Sequence, residues 1–223
     1  EVRATAGRNQ AIFNAVVTLL NPGNEALIAK PYWVTFPEIV VFAGAKPVFI
    51  EAEETDFVLS AEEVERAITP RTKLLILNSP CNPSGRVLPP AEFRRIMELT
   101  SERGIYVVSD ECYLRFVYPP GEVFSAASLP AELRSRLCIA GSFSKTYAMT
   151  GWRVGYALAP ADWIKAMLKV QGHSTSNTNS IAQWASVEAL TGPQESVGLM
   201  LAEYTRRRAW LLNALCDIPG IKC

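Results

Sequence analysis

The sequence predicts an α/β fold built on a mostly parallel sheet. Short apolar runs, typical of strands buried on both faces, alternate along the chain with amphipathic stretches of helical period. Polar segments follow several of these runs, at the sheet edge where such folds bind ligands. The predicted strands are Val2–Thr5, Ala26–Ala29, Pro47–Glu51, Lys73–Asn78, Ile105–Asp110, Leu137–Ala140 and Val154–Ala159. The predicted helices are Gln10–Leu20, Phe36–Ala43, Ala61–Ile68, Ala91–Arg103 and Ala161–Gln171, with a further helical pattern from Ser180 to Leu215.

The composition is that of one soluble globular domain. The chain has 223 residues, of which 49% are hydrophobic and 20% are charged, and its formal net charge is zero. A neutral chain argues against a nucleic-acid or membrane-surface role, and no apolar run reaches the roughly 18 residues of a membrane span. Five cysteines without C-x-x-C spacing indicate a reduced, cytoplasmic protein without a metal site. The opening residues lack a signal-peptide pattern and read as the interior of a protein.

The segment from Ser142 to Gly155 places Lys145 between two strand-like runs. A lysine amine can form a Schiff base with an aldehyde, which is the chemistry of pyridoxal phosphate enzymes. Ser142 lies three residues before the lysine and Arg153 eight residues after it, so the two side chains could hold a phosphate together. The alternative is a surface lysine in a polar loop, and the residues alone leave both interpretations open.

Two further turns could contact a cofactor. Gly7 permits a tight turn before the first predicted helix, whose free N–H groups could receive a phosphate, although many α/β connections contain glycine without binding anything. Trp33 follows the second predicted strand, where it could stack on a flat aromatic cofactor or serve as a core tryptophan.

The segments Asn78–Gly85 and Asp110–Tyr113 each follow a predicted strand. Prolines and a glycine make the first a rigid loop, which could be purely structural. A buried carboxylate is costly unless it is paired, so Asp110 could face a protonated pyridine nitrogen; it could equally cap a helix that begins at Glu111. Tyr113 would then reach the phenolic oxygen of the same cofactor.

Together these segments resemble the class I and II aminotransferases of pyridoxal phosphate fold type I. The resemblance rests on Ser142–Lys145 with Ala148–Gly155, on the Asn78–Gly85 loop and on Ser109–Tyr113. Within the family, these segments are similar to the bacterial and plastid-type aspartate aminotransferase subgroup. The resemblance implies a three-layer α/β/α large domain with a mostly parallel seven-stranded sheet over residues 1–223. The family's N-terminal arm and C-terminal small domain are expected to lie outside this chain.

The resemblance also implies a role for each site residue. Lys145 would bind pyridoxal 5'-phosphate and act as the catalytic base. Asp110 would pair with the ring nitrogen, Trp33 would stack on the ring, and Asn82 and Tyr113 would contact the phenolic oxygen. The phosphate would be held by Gly7, Arg8, Asn9, Ser142 and Arg153.

Three positions depart from the family pattern or invite a different role. Asn9 stands where the subgroup usually has a lysine that holds a distal carboxylate, so a dicarboxylate substrate is in doubt. Ser84 replaces a threonine in the Asn78–Gly85 loop. His173, the single histidine, is expected to be structural or a loop contact, because the family base is the lysine.

The implied activity is transamination between an amino acid and a 2-oxo acid by a homodimer, without nucleic-acid or membrane partners. One alternative is another enzyme of the same fold type, such as a carbon–sulfur lyase or an aminocyclopropane carboxylate synthase. The other is the non-enzymatic effector domain of a transcription regulator, which would need a DNA-binding module upstream.

Overall fold

A single seven-stranded sheet forms the centre of the molecule, whose computed structural model describes residues 1–53 and 55–221. Strands β2 to β6 run parallel, and β7 is antiparallel to both β6 and β1. The spatial order is β1-β7-β6-β5-β4-β2-β3. All seven predicted strands are confirmed, with ends that differ by two residues at most. Their bounds are β1 Val2–Thr5, β2 Glu25–Ala29, β3 Lys46–Ile50, β4 Thr72–Asn78, β5 Tyr106–Asp110, β6 Leu137–Ser142 and β7 Gly155–Leu158.

The helices cover both faces of this sheet. The five predicted helices are confirmed, and the pattern from Ser180 to Leu215 forms two helices separated by Gly192, Pro193 and Gln194, because a proline cannot continue a helix. The helix bounds are α1 Arg8–Val17, α2 Thr35–Phe42, α3 Ala61–Ala67, α4 Pro90–Glu102, α5 Phe143–Thr146, α6 Ala161–Gly172, α7 Ser180–Thr191 and α8 Glu195–Cys216. Two short 3-10 turns lie at Ala126–Ser128 and Ala131–Arg134.

The central strands are buried on both faces, which confirms the three-layer α/β/α arrangement. On β4, Leu74 and Ile76 pack into the core beneath α1, α2 and α6, whereas Leu75 and Leu77 pack into the core beneath α3 and α4. Successive side chains of a strand point to opposite faces, so a strand between two helix layers is apolar at every position. This is why β4 appears in the sequence as a continuous apolar run.

The sheet register brings the chemically interesting segments to one edge. Asn78 at the end of β4 pairs with Asp110 at the end of β5, and Asp110 pairs with Ala140 of β6. Ser142 and Thr5 both pair with Gly155 at the start of β7, so the turn into α1 joins the same edge. Within the described residues, every helix is too short or too polar to span a bilayer.

Candidate active site

A cleft of about 260 Å³ lies at this edge, and eight of the ten predicted site residues line it. The other two lie directly behind the lining: Asp110 contacts Arg8, and Gly7 lies against Arg153. The structure therefore brings all ten predicted residues together. The eight predicted residues that line the cleft are Arg8, Asn9, Trp33, Asn82, Tyr113, Ser142, Lys145 and Arg153.

Lys145 lies on α5, a single turn of helix that follows β6 directly. The Ser142 hydroxyl caps this turn by accepting a hydrogen bond from the backbone N–H of Ser144 at 3.0 Å. The Thr150 hydroxyl donates to the carbonyl of Ser144 at 3.2 Å and ties the turn to the next loop. Half-buried in this position, Lys145 places its amine 6.0 Å from the centroid of the Tyr113 ring.

Asp110 is completely buried, and one of its oxygens has no hydrogen bond from any residue that the structure describes. Its Oδ1 accepts from the backbone N–H of Cys112 at 3.2 Å, so the carboxylate caps a turn, although no helix begins there. Its Oδ2 lies 3.1 Å from Nη1 of Arg8, but the N–H is not directed at the oxygen, and both atoms lack a hydrogen bond. Burial raises the pKa of Asp110, and the Arg8 guanidinium opposes that shift.

The Arg8 guanidinium lies within the site in contact with other protein groups, so it is not free to bind an anion. Its guanidinium carbon lies 4.1 Å from the centroid of the Trp33 ring, and Nη2 lies 3.5 Å from Sγ of Cys112. The residue is 8% exposed. Sequence reasoning missed this contact with Asp110; the one available signal was an arginine at a helix start in a chain with a strand-end aspartate.

Gly7 and Arg153 lie together at the side of the cleft where the sequence predicts a phosphate site. The backbone of Gly7 has φ 84° and ψ 164°, and α1 starts at the next residue, so the first N–H groups of the helix belong to Arg8 and Asn9, which line the cleft. The Arg153 guanidinium lies against Gly7, while its Nη1 donates to the carbonyl of Thr150 at 2.9 Å. Asn9 is exposed and lines the cleft.

Asn82 and Tyr113 meet across the cleft, with Nδ2 of Asn82 3.4 Å from the tyrosine hydroxyl. Asn78 positions this pair: its Oδ1 accepts from the backbone N–H of Asn82 at 2.8 Å, and its Nδ2 donates to the carbonyl of Asp110 at 3.1 Å. Burial raises the pKa of Tyr113, and the hydrogen bond from Asn82 lowers it. Sequence reasoning assigned no role to Asn78, although an asparagine that ends a strand before a proline loop is a usable signal.

Glu111 is a third residue whose role sequence reasoning missed. Its buried carboxylate accepts from the Ser125 hydroxyl at 2.6 Å, from the backbone N–H of Ala126 at 2.8 Å and from the Ser109 hydroxyl at 3.3 Å. These bonds fix the segment after Tyr113 to the end of β5. His173, by contrast, is exposed at the end of α6 and is not among the residues that line this cleft.

A larger cleft of about 450 Å³ adjoins the first and shares Lys145, Tyr113, Ser144 and Thr150 with it. Its remaining lining residues come from the loop after β5, the loop after α5 and helix α8. They are Phe116, Tyr118, Ala148, Met200 and Tyr204. The lysine amine therefore stands between a polar cleft and an aromatic one.

Comparison with known proteins agrees with this geometry. The family model described as "Aminotransferase class I and II" matches residues 1–223. The chain is 41% identical to the aspartate aminotransferase of Geobacillus stearothermophilus and 44% identical to the aspartate/prephenate aminotransferase of Thermus thermophilus; each match covers 100% of this chain and 57% of the relative. The crystal structure of the aspartate aminotransferase from Rhizobium meliloti matches with a TM-score of 0.96 at 40% identity, over 100% of this chain and 56% of that one. The chain thus spans a little over half the length of these relatives. It belongs to the class I and II aminotransferases.

Proposed function

We propose that this chain binds pyridoxal phosphate and forms the cofactor-binding part of an aminotransferase. One observation carries the proposal: Lys145 follows β6 and lines a polar cleft, and the buried carboxylate of Asp110, at the end of the neighbouring strand β5, lies directly behind the lining of that cleft. Bound pyridoxal phosphate would supply an aldehyde for an amine and a ring that withdraws electrons from the substrate. A lysine amine could react with that aldehyde, and a carboxylate beside the ring nitrogen would keep the ring protonated.

The unsatisfied oxygen of Asp110 supports the fit of the ring. Oδ2 is buried without a hydrogen bond, and a protonated ring nitrogen would donate one to it. Because burial raises the pKa of Asp110, the carboxylate needs a neighbouring cation to stay ionised. Trp33 would cover one face of the ring, and Asn82 with Tyr113 would hold its phenolic oxygen.

The opposite wall suits the phosphate. Arg153 brings a guanidinium to the start of α1, where helix N–H groups and the Ser142 hydroxyl also line the region. The close approach of Arg153 to Gly7 requires a residue without a side chain, because a Cβ would fill the space. We propose Gly7, Arg8 and Asn9 as backbone contacts, and Ser142 and Arg153 as side-chain contacts.

Lys145 is proposed as the catalytic base and acid. Its amine would hold the cofactor and, once a substrate amine has replaced it, would accept and return the proton at the substrate Cα. A position between two clefts is consistent with this role, because one cleft would take the cofactor and the other the substrate side chain.

The substrates proposed are an amino acid and a 2-oxo acid. The relatives are named for aspartate and prephenate, but in this chain Asn9 is neutral and the Arg8 guanidinium faces Asp110. Asn9 therefore cannot form an ion pair with a second carboxylate, and in the cofactor-free chain the Arg8 guanidinium is held at Asp110. We propose that aromatic amino acids, which suit the lining of the larger cleft, react at least as well as aspartate.

The whole protein's organisation is also a proposal. We infer that residues 1–223 correspond to the large domain of the family and that the active protein is a cytoplasmic homodimer. The match over 57% of the relatives' length supports assigning transamination to a longer protein that contains this chain.

An absorbance titration with pyridoxal phosphate tests the cofactor assignment. We expect the wild-type chain to develop an imine band that borohydride reduces onto Lys145, as located by mass spectrometry, and Lys145→Ala to lack the band. Lys165→Ala is the matched control, because that lysine is 67% exposed and pairs with Asp162 outside the cleft. Equal bands in all three chains would contradict the proposal.

Addition of amino acids to the loaded chain tests the reaction. An aminotransferase leaves pyridoxamine phosphate after a half reaction, whereas a lyase of the same fold type releases products without leaving it. Aspartate, glutamate and phenylalanine, tested in turn, would reveal the preferred donor. Conversion by aspartate alone would overturn the proposed substrate preference.

A further inference from the structure

We propose that Arg8 occupies the cofactor-ring site in the cofactor-free chain and must be displaced when the cofactor binds. This inference rests on the proposed function, which assigns the ring to the space between Trp33 and Asp110. The Arg8 guanidinium lies over Trp33, 4.1 Å from the centroid of its ring, and 3.1 Å from Oδ2 of Asp110. It therefore makes both contacts that the ring would make.

A guanidinium is a close chemical substitute for a protonated pyridine. Both are planar, delocalised cations that stack on aromatic faces and present N–H groups in their plane to a carboxylate. Nη2 of Arg8 also donates to Sγ of Cys112 at 3.5 Å, a third contact that holds the group within the site. Without this cation, Asp110 would be a buried charge without a partner, which is strongly destabilising.

The ion pair is poorly aligned, and this favours displacement. Nη1 of Arg8 and Oδ2 of Asp110 are both buried and both lack a hydrogen bond, although they lie within ion-pair distance. A buried ion pair compensates for its desolvation only when its geometry is good. A ring nitrogen directed at Oδ2 would make the hydrogen bond that Arg8 does not make.

The guanidinium and the ring cannot occupy the site together. Both would lie between Trp33 and Oδ2 of Asp110, and two cations at one buried oxygen also repel each other, so ring binding requires the guanidinium to leave. Arg8 lines the cleft, which gives its side chain a path toward solvent. The measured affinity for cofactor is then lower than the intrinsic affinity of the site, because only the fraction of molecules with Arg8 displaced can bind.

Binding of pyridoxamine phosphate tests this inference without catalysis, because this probe lacks the aldehyde that reacts with Lys145. We expect Arg8→Gln to lower its Kd about tenfold or more in equilibrium dialysis, equivalent to about 1.4 kcal/mol. Arg95→Gln is the control for loss of a positive charge, because Arg95 is exposed and pairs with Glu62 and Glu92 on the surface. Inorganic phosphate, which does not reach the ring site, is expected to bind Arg8→Gln no more tightly than wild type.

Stability of the cofactor-free chain gives a second readout. Arg8→Gln should lower the denaturant midpoint, and adding Asp110→Asn should recover part of the loss, because the uncompensated charge is then removed. If Arg8→Gln yields too little folded chain, Arg8→Lys provides the same affinity comparison, since a lysine cannot lie flat on Trp33. We expect Arg8→Lys also to bind pyridoxamine phosphate more tightly than wild type, with a smaller decrease in Kd than Arg8→Gln shows.

The outcomes separate the two proposals. Unchanged or weaker binding of pyridoxamine phosphate by the Arg8 variants, with wild-type binding intact, would overturn the displacement. Equal gains for pyridoxamine phosphate and inorganic phosphate would overturn it too, because the effect would then not lie at the ring. Absence of binding by wild type and every variant, with either pyridoxamine or pyridoxal phosphate, would overturn the proposed function itself.

Discussion

Gly7 and Arg153 approach so closely that a Cβ atom on Gly7 would lie 2.5 Å from Nη2 of the arginine. The φ of 84° and ψ of 164° at Gly7 also fall in a region that is essentially restricted to glycine. The glycine thus serves two purposes: it permits the turn into α1, and it lets a guanidinium lie against the backbone where the phosphate is proposed to bind.

Replacement of Gly7 by alanine should therefore affect both stability and anion binding. We expect a loss of about 1–3 kcal/mol in the free energy of unfolding from backbone strain. Arg153 is flexible at its far end, so its guanidinium would move aside and weaken the binding of inorganic phosphate. Denaturant unfolding and equilibrium dialysis measure the two effects.

Gly23→Ala is the matched control for this variant. Gly23 has a φ of 92°, but a Cβ there would meet no atom of the described residues within 4 Å. It should lose stability through strain and keep the wild-type affinity for phosphate. A Gly7→Ala chain that also kept this affinity would show that Arg153 does not hold the anion.

Gly155 is a second position where only the absence of a side chain allows the site to form. A Cβ there would lie 2.6 Å from the backbone nitrogen of Arg8 and 2.7 Å from atoms of Gly7 and Gly141. All three are backbone atoms that cannot rotate away. Gly155→Ala should therefore cost about 1–3 kcal/mol of stability or more, as overpacking does in tight cores.

The control for Gly155 is Gly151→Ala, at an exposed position where a Cβ meets no atom within 4 Å. Thermal unfolding of the two variants should differ clearly. A similar melting temperature for both would mean that β7 and the turn into α1 can separate without cost.

Much of this fold can be predicted from the sequence because the central strands are buried on both faces. Leu74 to Leu77 on β4 are apolar without interruption, and such runs bounded by polar segments predict strands of a parallel sheet. Helix α5 was not predicted, because four residues are too few to show a helical period. Its stability comes from the Ser142 cap and from burial of Phe143 and Thr146.

The site could be predicted only in part from the sequence, because several of its contacts join residues that are far apart in the chain. Resemblance identified Lys145, Asp110 and Asn82 as site residues; the structure places Lys145 and Asn82 in the lining of one cleft and Asp110 directly behind it. The contact between Arg8 and Asp110 spans 102 residues and has no local pattern. The anchoring of Asn82 by Asn78 depends in the same way on the path of the loop, which sequence propensities do not specify.

Asn78→Ala tests whether this anchoring matters. The change would leave the backbone N–H of Asn82 without its acceptor and remove one donor to the carbonyl of Asp110. We expect a loss of about 1 kcal/mol in the free energy of unfolding, the usual net contribution of a hydrogen bond, because both bonds are only part-buried. The affinity for pyridoxamine phosphate should also fall, because Asn82 would no longer be held at Tyr113.

Asn24→Ala provides the comparison for Asn78. Asn24 also accepts a backbone hydrogen bond, from Asn21 at 2.9 Å, but at an exposed turn where water can replace it. Its loss should change stability little and cofactor affinity not at all. An Asn78→Ala chain that bound pyridoxamine phosphate normally would remove Asn78 from the positioning role.

The pH dependence of stability provides a test of Glu111. Burial raises its pKa above the ordinary value of 4.5, and the hydrogen bonds from Ser125 and Ala126 oppose the shift only in part. The folded chain then holds this proton more tightly than the unfolded chain. The stabilisation from this group is fully present below pH 4.5 and is lost as the pH rises through the raised pKa.

Glu111→Gln removes this titration and retains an acceptor for Ala126. The free energy of unfolding of wild type should therefore fall relative to that of the variant as the pH rises from 4.5 toward neutrality. Glu203→Gln is the control, because hydrogen bonds from Arg206 and Arg207 lower the pKa of exposed Glu203 to about 2. Its contribution is constant near neutral pH and is lost only as the pH falls toward that value. A flat difference for Glu111→Gln, matching that of Glu203→Gln, would mean that Glu111 titrates normally and that burial does not control its ionisation.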